Sequence, residues 1–235
     1  MNFKTVMQEL EALGKERTKK IYMSNGAHEP LFGAATGAMK PIAKNIGINQ
    51  ALADELYATG NYDAMYFAGI IADPKAMTVE DFDRWMETAY FYMISDYVVA
   101  VTLSESDIAQ GVADKWIASG EELKMSAGWS CYCWLMGNRR DEEFSERKIS
   151  DMLDTVKNTI HDSPERTKSA MNNFLSTVGI SYFPLHEKAL EVSAQVGIVE
   201  LKRDNKKSGF LNALENIEKV KARGKIGFKR KYVRC

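Results

Sequence analysis

Apolar residues recur along this chain at three- and four-residue spacings, the signature of amphipathic helices, and rarely alternate as a half-buried strand would require. The pattern predicts helices over 2–13, 15–24, 36–46, 48–59, 61–73, 78–88, 89–103, 107–118, 121–137, 146–160, 164–178, 184–196 and 209–223. Start signals support several of them. Thr78 precedes Glu80 and Asp81, and Ser163 and Pro184 place a cap or a first-turn proline at two later starts. Gly60, Gly120 and Gly197 fall where helices should stop. The only strand candidate is 198–201, a short segment expected to form a small turn structure with the chain's end. The fold class is all-α. Short connections between helices of this length imply stacked antiparallel pairs, as in a HEAT-like helical-repeat solenoid, with a non-repetitive bundle as the alternative. One domain over 1–235 is expected, with a basic terminal segment at 224–235.

Two segments depart from simple amphipathicity. In ETAYFYMISDYVVAVTLSE, residues 87–105, Asp96 is the only charged residue between the two end glutamates. The helix is apolar on every side and therefore largely buried. A carboxylate there needs a pairing partner, hydrogen bonds or an open cleft, because bare burial costs several kcal/mol. Asp96 is thus either a structural acceptor or a functional acid. Tyr92 lies four residues earlier on the same face. EELKMSAGWSCYCWLM carries two apolar stripes, which marks a helix buried on two sides and assigns Trp129 and Trp134 mainly to packing. Lys124 near its start is the polar exception.

Composition changes this picture little: 45% hydrophobic and 27% charged residues are ordinary for a globular domain. No apolar stretch approaches the roughly 20 residues of a membrane helix. The amphipathic N-terminus, with its two glutamates, reads as neither a secretory signal nor a transit peptide. Three cysteines, two of them in CYC, suggest no disulfide framework and fit a reducing cytoplasm.

Charge distribution is more telling. The net charge of −1 conceals twelve Lys/Arg against three Asp/Glu from Lys202 onward, which is +9, and −10 before it. Such polarity suits a polyanionic partner, and equally a solvated tail. Lys225, Lys229, Arg230, Lys231 and Arg234 are interleaved with Ile226, Phe228, Tyr232 and Val233, so the end has apolar groups with which to dock. Lys40 and Lys44, four apart, share a helical face that can neutralise phosphates or, by default, simply solvates the surface.

Other chemistry is lacking. Gly33 and Gly37 do not complete a phosphate loop. His186 has no second histidine at metal-ligand spacing and is expected to be partly exposed. Two cysteines two apart point to different helical faces. No metal site, cofactor site or Ser/His/Asp set is expected.

In order along the chain, AMKPIAK (38–44), ELYATGNYDAMYFAGIIADPKAMTVEDFDRW (55–85), FYMISDYV (91–98) and FLSTVGISYFPLHEKAL (174–190) resemble segments of the AlkD-type family of bacterial alkylpurine DNA glycosylases. The resemblance covers roughly residues 15–200. It implies a HEAT-like solenoid gripping duplex DNA, with Asp96 as the catalytic aspartate, assisted by Tyr92. Its chemistry would be hydrolysis of the N-glycosidic bond of N3- or N7-alkylated purines. Such cationic bases leave readily, so the carboxylate need only stabilise the sugar cation and orient water. Three positions depart from the family pattern. Tyr92 replaces a tryptophan, Ile180 stands where a tryptophan follows glycine, and Lys124-Met125 replaces an arginine pair. The resemblance therefore leaves open a glycosylase, a non-catalytic binder of DNA structures and a helical protein-interaction scaffold. The expected DNA contacts are Lys40, Lys44, Lys124, Lys225, Lys229, Arg230, Lys231 and Arg234, the five tail residues on charge alone.

Overall fold

The structure, a computed structural model, describes residues 1–202 and 208–234. Arg203, Asp204, Lys206, Lys207 and Cys235, counted above for charge or thiols, lie outside the described residues. Contacts divide the chain into two units, 1–109 with 234–235, and 110–233.

The first unit contains α1 (Phe3–Ala12), α2 (Glu16–Ser24), α3 (Lys40–Ile46), α4 (Gln50–Tyr57), α5 (Tyr62–Ile71), α6 (Val79–Thr88), and a helical stretch made of α7 (Tyr92–Ile94), a π-helical turn (Ser95–Val99) and α8 (Ala100–Ser104). Side chains start several of these. Asn2, Asn49 and Asn61 accept from backbone N–H groups of α1, α4 and α5, and Thr78 and Asp81 form a reciprocal capping box on α6. Each cap satisfies donors that a helix start leaves orphaned.

Packing then fixes the helices. The Tyr57 ring stacks on Trp85 at 4.1 Å, its hydroxyl donates to Trp85 O at 2.7 Å, and the Trp85 indole donates to Asp54 Oδ1 at 3.0 Å. These bonds tie α4 to α6. Asp63, fully buried, accepts from the backbone N–H groups of Phe32, Gly33 and Ala34 at 2.6, 3.0 and 2.8 Å. It thereby anchors the loop before α3 to the first turn of α5.

The second unit contains α9 (Ala109–Ile117, beginning at the boundary), α10 (Glu122–Asn138), α11 (Glu146–Thr159), α12 (Glu165–Ser181), α13 (His186–Val196), β1 (Val199–Leu201), β2 (Gly209–Leu211) and α14 (Ala213–Lys221). Its most extensive packing is α10 against α12, where Trp129 meets Phe174 edge-on at 5.0 Å. Helix α12 also packs against α13 and α14. Gly179 makes the last contact possible, since a Cβ there would collide with the Ile217 side chain.

Three expectations change in this unit. The strand 198–201 pairs antiparallel with 209–211, Val199 opposite Leu211, and not with the chain's end. Residues 209–211 are therefore strand, and α14 starts only after Asn212, which caps it. His186 is buried at 7% exposure, because its Nδ1 meets Gly179 O, one of the carbonyls released near the end of α12.

Candidate nucleic-acid-binding site

The stretch around Asp96 begins where α6 stops. Ala89 and Phe91 are extended, and Phe91 precedes Tyr92 without a side-chain cap. The π turn over Ser95–Val99 packs on α5 and α6. Gly69 sets that approach, because a Cβ on it would stand 2.7 Å from Val98 Cγ1. Inserted π turns are frequent at functional sites, where they re-aim side chains.

Asp96 is 1% exposed and accepts from the Ser95 hydroxyl at 2.8 Å. Tyr92, half-buried, is the last ring but one of an aromatic row. The row runs from Tyr22 to Tyr62 (4.7 Å between ring centres), to Phe91 (5.5 Å), to Tyr92 (5.8 Å) and to Tyr97 (6.3 Å). A branch passes from Phe91 to Tyr90 at 4.9 Å and ends with the His28 ring stacked on Tyr90 at 3.8 Å. Burial raises the ionisation of Tyr62 far above the usual phenol range, and raises that of Tyr90 too. These phenols therefore remain neutral. Tyr97, 39% exposed, gives the row its solvent-facing ring and was not singled out from the sequence.

The cations fall into separate groups. Lys40 and Lys44 are exposed on α3 in the first unit. Neither makes an ion pair among the described residues. Lys124 belongs to the second unit, where its ammonium meets Glu121 at 2.7 Å. Along the same helix Cys131 is buried and Cys133 half-buried, and burial drives the Cys131 thiol far above the usual range, so it is inert.

The basic terminal segment divides by residue, and Phe228 and Tyr232, expected to dock it, are exposed instead. Lys229 is turned inward, 2.6 Å from Asp141 and 2.7 Å from Met136 O. Arg234 meets Glu105 at 2.6 Å within the first unit. Both charges are thus largely neutralised. Lys225, Arg230 and Lys231 are exposed, and the Arg230 guanidinium lies over the Trp134 ring at 5.1 Å.

Among the described residues no cluster of three metal-ligating side chains occurs, and no helix is long and apolar enough to cross a membrane. The first unit thus holds a buried carboxylate on the same helical stretch as Tyr92 and Tyr97, with Lys40 and Lys44 exposed, and the second unit exposes Lys225, Arg230 and Lys231.

Residues 6–208 match the model of a family described as DNA alkylation repair enzyme. Two curated relatives, the uncharacterized proteins Lin0241 of Listeria innocua and Lmo0209 of Listeria monocytogenes, are each 30% identical to the chain. The alignments cover 95% of this chain and 99% of the first relative, and 96% of this chain and 100% of the second. A solved structure that is 80% identical matches with a TM-score of 0.97 over 100% of both chains. It is described as representing a new family of proteins related to the HEAT-like repeat DNA glycosylases, with affinity for branched DNA structures. The architecture is accordingly all-α and HEAT-like. With a family match over most of its length, the chain belongs to the DNA alkylation repair enzyme family.

Proposed function

We propose that this protein binds branched DNA and does not hydrolyse the glycosidic bond. The observation that carries the second half is the burial of Asp96. A carboxylate that orients water and faces a developing sugar cation must touch both. Asp96 has 1% of its surface exposed and one oxygen already engaged by Ser95. The ring four residues earlier, Tyr92, is half-buried and edge-on to Phe91 and Tyr97, an arrangement that serves packing. Lys124, standing where the family pattern has an arginine, is drawn into an ion pair.

The first half draws support from the affinity for branched DNA described for the structure that is 80% identical to this chain. Exposed Lys40, Lys44, Lys225, Arg230 and Lys231 are the phosphate contacts in this reading. Affinity then falls with salt, with a logarithmic slope of roughly −0.9 per phosphate neutralised. Titrating a fluorescent four-way junction and a linear duplex of equal length tests it. Tighter binding to the junction supports the reading; equal binding overturns it. Release of methylated purine that disappears in Asp96→Asn would overturn the non-catalytic half and restore the glycosylase.

A further inference from the structure

We infer that residues 225–232 form a base-stacking site, in which Phe228 and Tyr232 receive unpaired bases at a DNA branch while Lys225, Arg230 and Lys231 hold the adjoining phosphates. The inference rests on branched DNA being the ligand and adds where the branch itself is read.

The segment is held in place. Gly227 N–H donates to Ile180 O and Arg230 N–H to Gly137 O, both at 2.7 Å, and the Asn138 amide donates to Arg230 O at 2.8 Å. The Lys229 ammonium, between these points, reaches Met136 O and Asp141. Such anchoring fixes which side chains face outward. Lys229 is turned in, whereas Phe228 is 58% and Tyr232 69% exposed. This inverts the ordinary preference, because a cation is sheltered while two rings remain in water. Isolated exposed apolar residues need no explanation. Two rings on one anchored segment, set among three exposed cations, form a particular surface.

That surface suits one class of partner. The cations Lys225, Arg230 and Lys231 complement a polyanion, and Lys231 Nζ lies 5.2 Å from the centre of the Tyr232 ring. Aromatic rings interleaved with basic groups bind single-stranded nucleic acid by stacking, which any base can satisfy. A continuous duplex keeps its bases stacked on one another and offers such rings nothing. A fork, or a junction opened at its centre, exposes unpaired bases, so the rings would separate such a branch from linear DNA without reading sequence. An acidic protein would satisfy the cations and leave the rings without a matching flat partner.

The test compares wild type with Phe228→Ala/Tyr232→Ala on two probes of equal length. One is a fork with two single-stranded arms, carrying 2-aminopurine at the first unpaired position; the other is a fully paired duplex. Wild type is expected to prefer the fork and to quench the 2-aminopurine. The double variant is expected to lose about tenfold or more on the fork, and to leave duplex affinity and its salt dependence unchanged. Phe228→Trp/Tyr232→Trp should restore fork binding. A double variant that keeps the full preference overturns this inference alone, as does an equal loss on both probes. A wild type with no preference for the fork likewise overturns this inference, while the branched-DNA reading itself stands or falls on the four-way junction.

Discussion

Arg234 closes on Glu105 through two nitrogens, Nε at 2.7 Å and Nη2 at 2.6 Å from the same carboxylate oxygen. Its Nη1 donates to the carbonyls of Gly69 and Ala72, each at 2.9 Å. Helix α5 ends at Ile71, so these are carbonyls that a helix end leaves without an internal partner, at the negative pole of its dipole. A residue that reads as a DNA contact in the sequence therefore serves as the C-terminal cap of a buried helix. Arg234→Ala should cost the first unit roughly 2 kcal/mol, from loss of charge-assisted hydrogen bonds. Hydrogen exchange should quicken around 69–72 and 102–106 while α10 and α12 keep their protection.

Asp63 is the second such device. Both its oxygens accept from consecutive backbone N–H groups, Phe32 and Gly33 on one and Ala34 on the other. Desolvation raises its pKa, so the carboxylate is retained against the cost of burial. Asp63→Asn turns an amide NH2 toward those donors and should destabilise by roughly 2–3 kcal/mol. Urea denaturation followed by tyrosine fluorescence and circular dichroism measures the loss.

Gly69 and Val98 meet where α5 touches the π turn. Gly69→Ala should destabilise by roughly 1–3 kcal/mol through overpacking. Removing the opposing methyls in Gly69→Ala/Val98→Ala should recover part of that, giving a coupling above about 0.5 kcal/mol in a double-mutant cycle. Strict additivity would mean the two residues do not share the contact.

The α6 capping box gives a pH dependence. The Thr78 backbone N–H holds the Asp81 carboxyl below its ordinary value near 3.8, with Arg84 assisting. A folded-state pKa lowered in this way contributes stability above the unfolded value, and the contribution is lost as pH falls through the folded one. Asp81→Asn should thus lower the melting temperature at pH 7, by an amount equivalent to about 1 kcal/mol, and make little difference near pH 2. Melting curves at both pH values check the sign.

Much of the fold was legible because its cues are local. Thr78 and the apolar periods set helix starts to within a few residues, and Gly197 ends α13 at φ 66°. The misses have physical reasons. The run Ala89-Tyr90-Phe91 has no glycine or proline, yet it turns, because packing of Phe91 among Tyr62, Tyr90 and Tyr92 outweighs helical propensity. Gly209-Phe210-Leu211 looked helical, and only its pairing with β1 across a sequence gap makes it strand. The site was half-legible. An isolated acid in an apolar helix correctly marked Asp96 as needing a partner, but periodicity does not identify that partner as its neighbour Ser95. The tail's cations were visible as charge; which of them are neutralised depends on Asp141 and Glu105, far away in sequence.

The central claim, recognition of DNA branches without base excision, is tested most directly by one paired measurement. A four-way junction and a linear duplex of equal length, both premethylated, are incubated with excess protein, and bound fraction and free methylpurine are read from the same reaction. The account predicts binding that favours the junction, weakens with salt and releases no base above the protein-free control. Equal binding to both DNAs, or release of methylpurine that Asp96→Asn abolishes, would contradict it.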